Sequence, residues 1–155
     1  VSDVEDFYRI YQDPSITKYM ERLFPDRDEE RSYMKDYIQK IYGFYGFGLW
    51  SVIHTVTGTV IGRAGLSVRE GYEIPELGFV TEVAFQHQGY TYEICEAILR
   101  YARDELEFPQ VQAFCHPENT ASLHLLQKLG FTYAGEDLLQ GIPHARYIVS
   151  LPKSC

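Results

Sequence analysis

The sequence has little of what would make its chemistry obvious. Among its 155 residues are three cysteines, Cys95, Cys115 and Cys155, with no CxxC pair, so neither a disulfide framework nor a cysteine zinc site is indicated and a reducing compartment fits. Cys95 falls in an apolar helical pattern and Cys115 ends an apparent strand, so both read as small buried apolar residues. No apolar run approaches the roughly 20 residues of a membrane span, and no signal-peptide pattern opens the chain. A soluble cytoplasmic protein without membrane contact is expected, and the start at Val1, without Met, suggests that a leading segment has been removed. Positive charge is also scarce: 14 Lys and Arg stand against 22 Asp and Glu, a net charge of −8. That balance argues against nucleic-acid partners, because neutralising phosphates takes a basic surface. The excess acid lies mostly at 26–30 and 104–107, readable as solvated helix faces or as a field that steers cationic substrates. His54, His87, His116, His124 and His144 show no HxxxH spacing, so no metal is expected.

What is present is one domain's worth of alternating elements. Val4, Phe7, Tyr8, Ile10 and Tyr11 have helical spacing over 2–12, with Ser2 or Asp3 as cap and Asp13-Pro14 as stop. A second helix is predicted over 27–42, ending at Gly43. Segments 48–56 and 59–68 read as a hairpin turning at Thr57-Gly58, and 76–83 as a third strand after the loop 69–75. A helix over 92–106, a strand over 111–115, a helix over 120–129 capped by Gly130, and strands over 131–136 and 146–151 complete the chain. The layout is α/β (α+β), with one central sheet.

The most informative run is 76–94, a strand that breaks at a polar Gly-containing turn and passes straight into a helix. A helix start offers unpaired N–H groups and partial positive charge, which attract anions. The spacing discriminates among phosphate ligands. Gly-x4-Gly-Lys-Ser/Thr is absent, and in place of GxGxxG there is one glycine, mid-chain after a hairpin, so nucleotide folds fit poorly.

Gln86-His87-Gln88-Gly89-Tyr90-Thr91 resembles the (Arg/Gln)-x-x-Gly-x-(Gly/Ala) turn of the GNAT superfamily of N-acetyltransferases. The chain as a whole is similar to the branch of ribosomal-protein N-acetyltransferases typified by RimJ and RimL. Tyr11-Gln12-Asp13-Pro14, Thr17-Lys18-Tyr19, Gly48-Leu49-Trp50, Ile61-Gly62-Arg63, Leu77-Gly78-Phe79, Asn119-Thr120-Ala121-Ser122 and Leu129-Gly130-Phe131 follow in that branch's order. The family's first strand has no counterpart before Ser2, and Thr91 stands where Gly or Ala is usual.

The resemblance implies a single central sheet, mixed and mostly antiparallel, with helices on both faces, and an acetyl-CoA-dependent enzyme that acetylates a primary amine, on a protein N-terminus or a small molecule. The pantetheine arm would pair with the backbone of Phe79 and Thr81, residues 86–91 would hold the pyrophosphate, and Asn119 would reach the arm or simply cap its helix. Amine acylation needs a deprotonated nucleophile, a polarised carbonyl and a proton for the leaving thiolate. Glu76 is the first candidate base, Glu82 and Glu136 the next; each also reads as a solvated carboxylate at a strand end. The tyrosine acid of many relatives is replaced by Leu126, and Ser122 matches the serine proposed as acid in the RimL-like branch. His87 is placed to touch phosphate or to be merely exposed. Phe24, Tyr42, Phe44, Tyr45 and Phe47 could wall an acceptor pocket or serve packing. A homodimer accords with the family. A non-catalytic acyl-CoA sensor is the alternative from another functional class.

Overall fold

In the computed structural model, residues 3–18 and 23–152 are described; the readings that involve Ser2, Tyr19 and Cys155, and the side chain of Phe44, lie outside the described residues. The internal contacts divide the chain into two compact units, Val1–Gly65 with Phe79–Thr91, and Leu66–Gly78 with Tyr92–Cys155.

The first unit begins with α1 (Val4–Tyr11), whose Val4, Phe7 and Ile10 recur at three-residue spacing and are buried. Asp13-Pro14 ends α1 as expected, yet it also starts a short α2 (Pro14–Thr17): Asp13 accepts the Ser15 N–H at 2.9 Å and proline occupies the first helical position, which needs no donor. Asp26 caps α3 (Arg27–Tyr37) through the N–H groups of Asp28 and Glu29. The core joins Val4, Phe7, Ile10, Ile16 and Met34 to Val60 and Val80. Burying each large member is worth about 1.5–3 kcal/mol.

One regular helix over 27–42 is not what forms. After Tyr37 the chain widens into a π-helical segment (Ile38–Tyr42), followed by α4 (Gly43–Tyr45) and the left-handed Gly46. In an α-helix residues five apart point in divergent directions, whereas a π turn brings them towards one side. Here Tyr37 and Tyr42 grip the same residue: the Leu49 N–H donates to the Tyr37 hydroxyl, and the Tyr42 hydroxyl donates to the Leu49 carbonyl.

β1 (Leu49–Ile53) pairs antiparallel with β2 (Val60–Ser67), from Leu49↔Gly65 to Ile53↔Val60, with an irregularity between Val52 and Ile53. Both strands are shorter than predicted, because 54–59 form the turn. Gly62 and Gly65 have a steric reason to lack side chains: a Cβ at Gly62 would lie 2.1 Å from the Val80 carbonyl oxygen, and one at Gly65 would lie 2.0 Å from that of Gly48.

β3 (Glu76–Thr81) leads through a 3-10 turn (Val83–Phe85) to α5 (Tyr90–Asp104). In the second unit α5 buries Cys95, Ile98, Leu99 and Ala102; β4 (Gln110–Cys115), α6 (Thr120–Lys128), β5 (Thr132–Leu139) and β6 (Ile142–Ser150) follow. The last hairpin is longer than predicted. Gln140 (φ 52°) and Gly141 (φ 78°) are both left-handed, giving a two-residue turn that lets the strands pair up to Leu139↔Ile142. The six strands run in the order β1-β2-β3-β4-β6-β5. Among the described residues β3 meets β4 in parallel at one register pair, Glu76↔Gln112, while β4–β6 and β5–β6 are antiparallel. The sheet is therefore mixed and mostly antiparallel, as expected.

Candidate active site

Backbone groups alternate between the two edges of a strand. The Val80 carbonyl faces Gly62 of β2, and the Glu82 N–H donates to the Ile61 carbonyl at 2.7 Å. The backbone groups of Phe79 and Thr81 therefore turn to the opposite edge of β3.

Beyond β3 the turn is braced by its own glutamines. Gln86 Nε2 donates to the Thr81 carbonyl at 2.9 Å, and Gln88 Nε2 donates to the Ala84 carbonyl at 3.0 Å. With both side-chain amides engaged in the turn and the Gln86 N–H donating to the Val83 carbonyl at 3.2 Å, an anion would meet the main-chain N–H groups from His87 onward. His87 and Gly89 are left-handed, with φ of 61° and 85°, and Tyr90 opens α5. Left-handed residues set among extended and helical ones curl successive N–H groups into an anion-binding concavity, and the helix dipole adds to it. Glycine adopts this conformation without cost; for His87, whose side chain is exposed, it is strained.

Thr91 does not turn its hydroxyl to the concavity. Its Oγ1 lies 2.7 Å from Oγ1 of the nearly buried Thr81, tying the first turn of α5 to the end of β3. Tyr90 is held from the β1–β2 turn: its hydroxyl lies 3.2 Å from His54 Nε2, while His54 Nδ1 lies 3.0 Å from the Thr57 hydroxyl. The His54 ring also contacts those of Phe85 and Tyr90. His54 and Phe85 were absent from the sequence-based site. No local signal points to them, since His54 and Tyr90 are 36 residues apart in sequence and meet only through their side chains.

Of the remaining candidates all but Glu82 lie in the second unit. Asn119 is the N-cap of α6: its Oδ1 accepts the Ser122 N–H at 3.3 Å, so the capping reading holds, and the amide N–H groups remain as donors for a ligand. Ser122 is half-buried one turn into the helix, and Leu126, at the place of the absent tyrosine, is a fully buried core residue. Glu76 is held at both oxygens by Arg69, with Nε to Oε2 at 3.1 Å and Nη2 to Oε1 at 2.9 Å. No hydrogen bond among the described residues joins it to Asn119 or Ser122. In the first unit Glu82 meets Arg9 more loosely, at 3.5 Å. Glu136 is exposed on β5. Among the described residues no group of three or more His, Cys, Asp or Glu side chains could hold a metal ion, and no helix is long and apolar enough to cross a membrane.

A mixed six-stranded sheet whose β3 runs through a turn with left-handed residues into α5 is an α/β fold. Residues 1–132 match the family model described as the acetyltransferase (GNAT) domain, and the chain belongs to that family of acetyl-transferring enzymes. It is 28% identical over 134 residues to the uncharacterized N-acetyltransferase YnaD of Bacillus subtilis (strain 168), a match covering 86% of this chain and 75% of that protein. Spermidine N-acetyltransferase from Vibrio cholerae, solved in complex with CoA and spermine, shares the fold with a TM-score of 0.80 at 16% identity, over 97% of this chain and 90% of that one. Ribosomal-protein-S5-alanine acetyltransferase from Vibrio fischeri does so with a TM-score of 0.78 at 14% identity, over 97% and 88%.

Proposed function

We propose that the protein transfers the acetyl group of acetyl-CoA to a primary amine and belongs with the RimJ- and RimL-like branch. The observation that carries this reading is the turn 86–91, with left-handed His87 and Gly89 leading into the 15-residue α5. In this reading the N–H groups of His87 to Thr91 take the pyrophosphate and the backbone of Phe79 and Thr81 aligns the pantetheine arm.

In the reaction the neutral amine adds to the thioester carbon, the C–S bond breaks, and the proton shed by the acylated nitrogen ends on the thiolate, with the Ser122 hydroxyl as our candidate relay that gives its proton to sulfur and regains one from nitrogen. The amine must first lose its own proton. Glu76 would have to leave a bidentate pair with Arg69 to accept it, whereas the longer Arg9 contacts leave Glu82 more available. Glu82→Gln is therefore expected to lower kcat by tenfold or more and Glu76→Gln to lower it less.

The test is release of CoA thiol from acetyl-CoA with a panel of amines, alongside calorimetric binding of CoA. Turnover of at least one amine is the expected result. Tight CoA binding with no turnover on any amine would instead establish the acyl-CoA sensor.

A further inference from the structure

On β6, Arg146 is a half-buried arginine whose cation no carboxylate neutralises among the described residues. Its position is fixed from two sides. Its Nε donates to Gln112 Oε1 at 2.8 Å, and Gln112, completely buried, is itself oriented by its Nε2, which donates to the Ile74 carbonyl at 3.2 Å. The guanidinium carbon stands 5.0 Å from the centre of the Tyr72 ring. Tyr72 meets Phe114 edge to face at 5.5 Å, and Arg69 stands over Phe114 at 5.1 Å.

The two arginines are held alike, each over one ring of an aromatic pair, and differ in their charge partners. Arg69 is matched by the bidentate Glu76. Arg146 is held by Nε alone, so both terminal nitrogens keep their N–H groups, and the cluster carries one net positive charge in a chain of net charge −8. A stacked guanidinium with a free planar edge is suited to a bidentate oxyanion. One unmatched charge suits a monoanion such as a carboxylate better than a phosphate dianion.

We propose that Arg146 is an anion subsite for the carboxylate of the acceptor, so that the acceptors are amines that also carry a carboxylate, as free amino acids do. This rests on the acetyltransferase reading above. The geometry also assigns Gln112 as a positioning residue that aims the guanidinium.

The probes are N-acetylglycine, a product of that class, and its uncharged amide, titrated into the protein while the Arg146 Nε–H resonance is followed by NMR. The acid is expected to shift that resonance and to bind at least tenfold more tightly than the amide. Arg146→Met should abolish the preference, and Arg146→Lys, which keeps the charge without the fork, should recover part of it, both with wild-type melting curves. Equal affinity for acid and amide, or binding that leaves the Nε–H resonance unmoved, would overturn the proposal. So would a rise in the KM for acetyl-CoA in Arg146→Met, which would assign the guanidinium to a cofactor phosphate. Because the titration needs no turnover, a protein that binds the acid at Arg146 yet acetylates no amine would refute the catalytic reading and leave the anion subsite standing.

Discussion

Thr91 shows how a side chain that departs from a family pattern can be absorbed by a neighbour. The sequence marks it as unusual, because a branched residue stands at a turn position normally held by Gly or Ala. It does not say where the hydroxyl goes, and the 2.7 Å contact to Thr81 supplies the answer. Thr81 is nearly buried, so removing one hydroxyl leaves the other without its partner. Thr91→Val should then cost about 1–3 kcal/mol in urea unfolding, whereas Thr81→Val with Thr91→Val should cost less than the sum of the single changes, since an apolar pair leaves nothing unsatisfied. Strictly additive single and double variants would show that the two hydroxyls do not depend on each other. Glu76 teaches the converse lesson. Its place at a strand start was legible, but its commitment to Arg69 was not, because the pair is closed by a loop whose course the sequence does not encode locally.

At the scale of elements, periodicity located the long helices and the sheet strands, and the misses share one cause. The π-helical segment Ile38–Tyr42 and the extended β5–β6 hairpin depend on specific partners, Leu49 for Tyr37 and Tyr42, and the left-handed pair Gln140-Gly141 for the hairpin. Hydrophobic spacing carries no record of either. The break from β3 into α5 was legible because Gly89 and the helix start are local features; the left-handed His87 was not, since positive φ is uncommon for any residue but glycine. This yields a test of which part of His87 serves the cofactor. If its backbone N–H does, His87→Gly keeps acetyl-CoA affinity within about threefold and changes stability by no more than about 1 kcal/mol, as relief of strain offsets the added freedom of the unfolded chain. His87→Pro, which removes the N–H and forbids the positive φ, should weaken calorimetric binding at least tenfold. A tenfold loss in His87→Gly would transfer the contact to the imidazole.

For the whole molecule, the composition of the sheet was readable but its order was not: β6 inserts between β4 and β5, a choice made by pairing between distant segments. The family match does not supply the physics of the interior, and the buried thiols do. Burial pushes the Cys95 thiol from 9.0 up to about 12 and that of Cys115 up to about 11. Below pH 9 both are neutral whether the chain is folded or not. Above it the unfolded thiols ionise while the folded ones hold their protons, so the unfolded state binds fewer protons and stability falls as pH rises towards 11 or 12. At about 1.36 kcal/mol per pH unit, each thiol accounts for about 2 kcal/mol of loss between pH 8 and 10.5. Tyr37 and Tyr42, whose phenols are also raised by burial, extend the decline above pH 10. Growing negative charge destabilises every variant alike and therefore cancels in a comparison. Cys95→Ala should start less stable at pH 8, from the small cavity it opens, yet lose about 2 kcal/mol less than the parent between pH 8 and 10.5 in urea unfolding followed by circular dichroism. Parallel pH profiles for the two proteins would mean that the Cys95 thiol ionises alike in the folded and unfolded chains, and that its burial in α5 does not protect its proton.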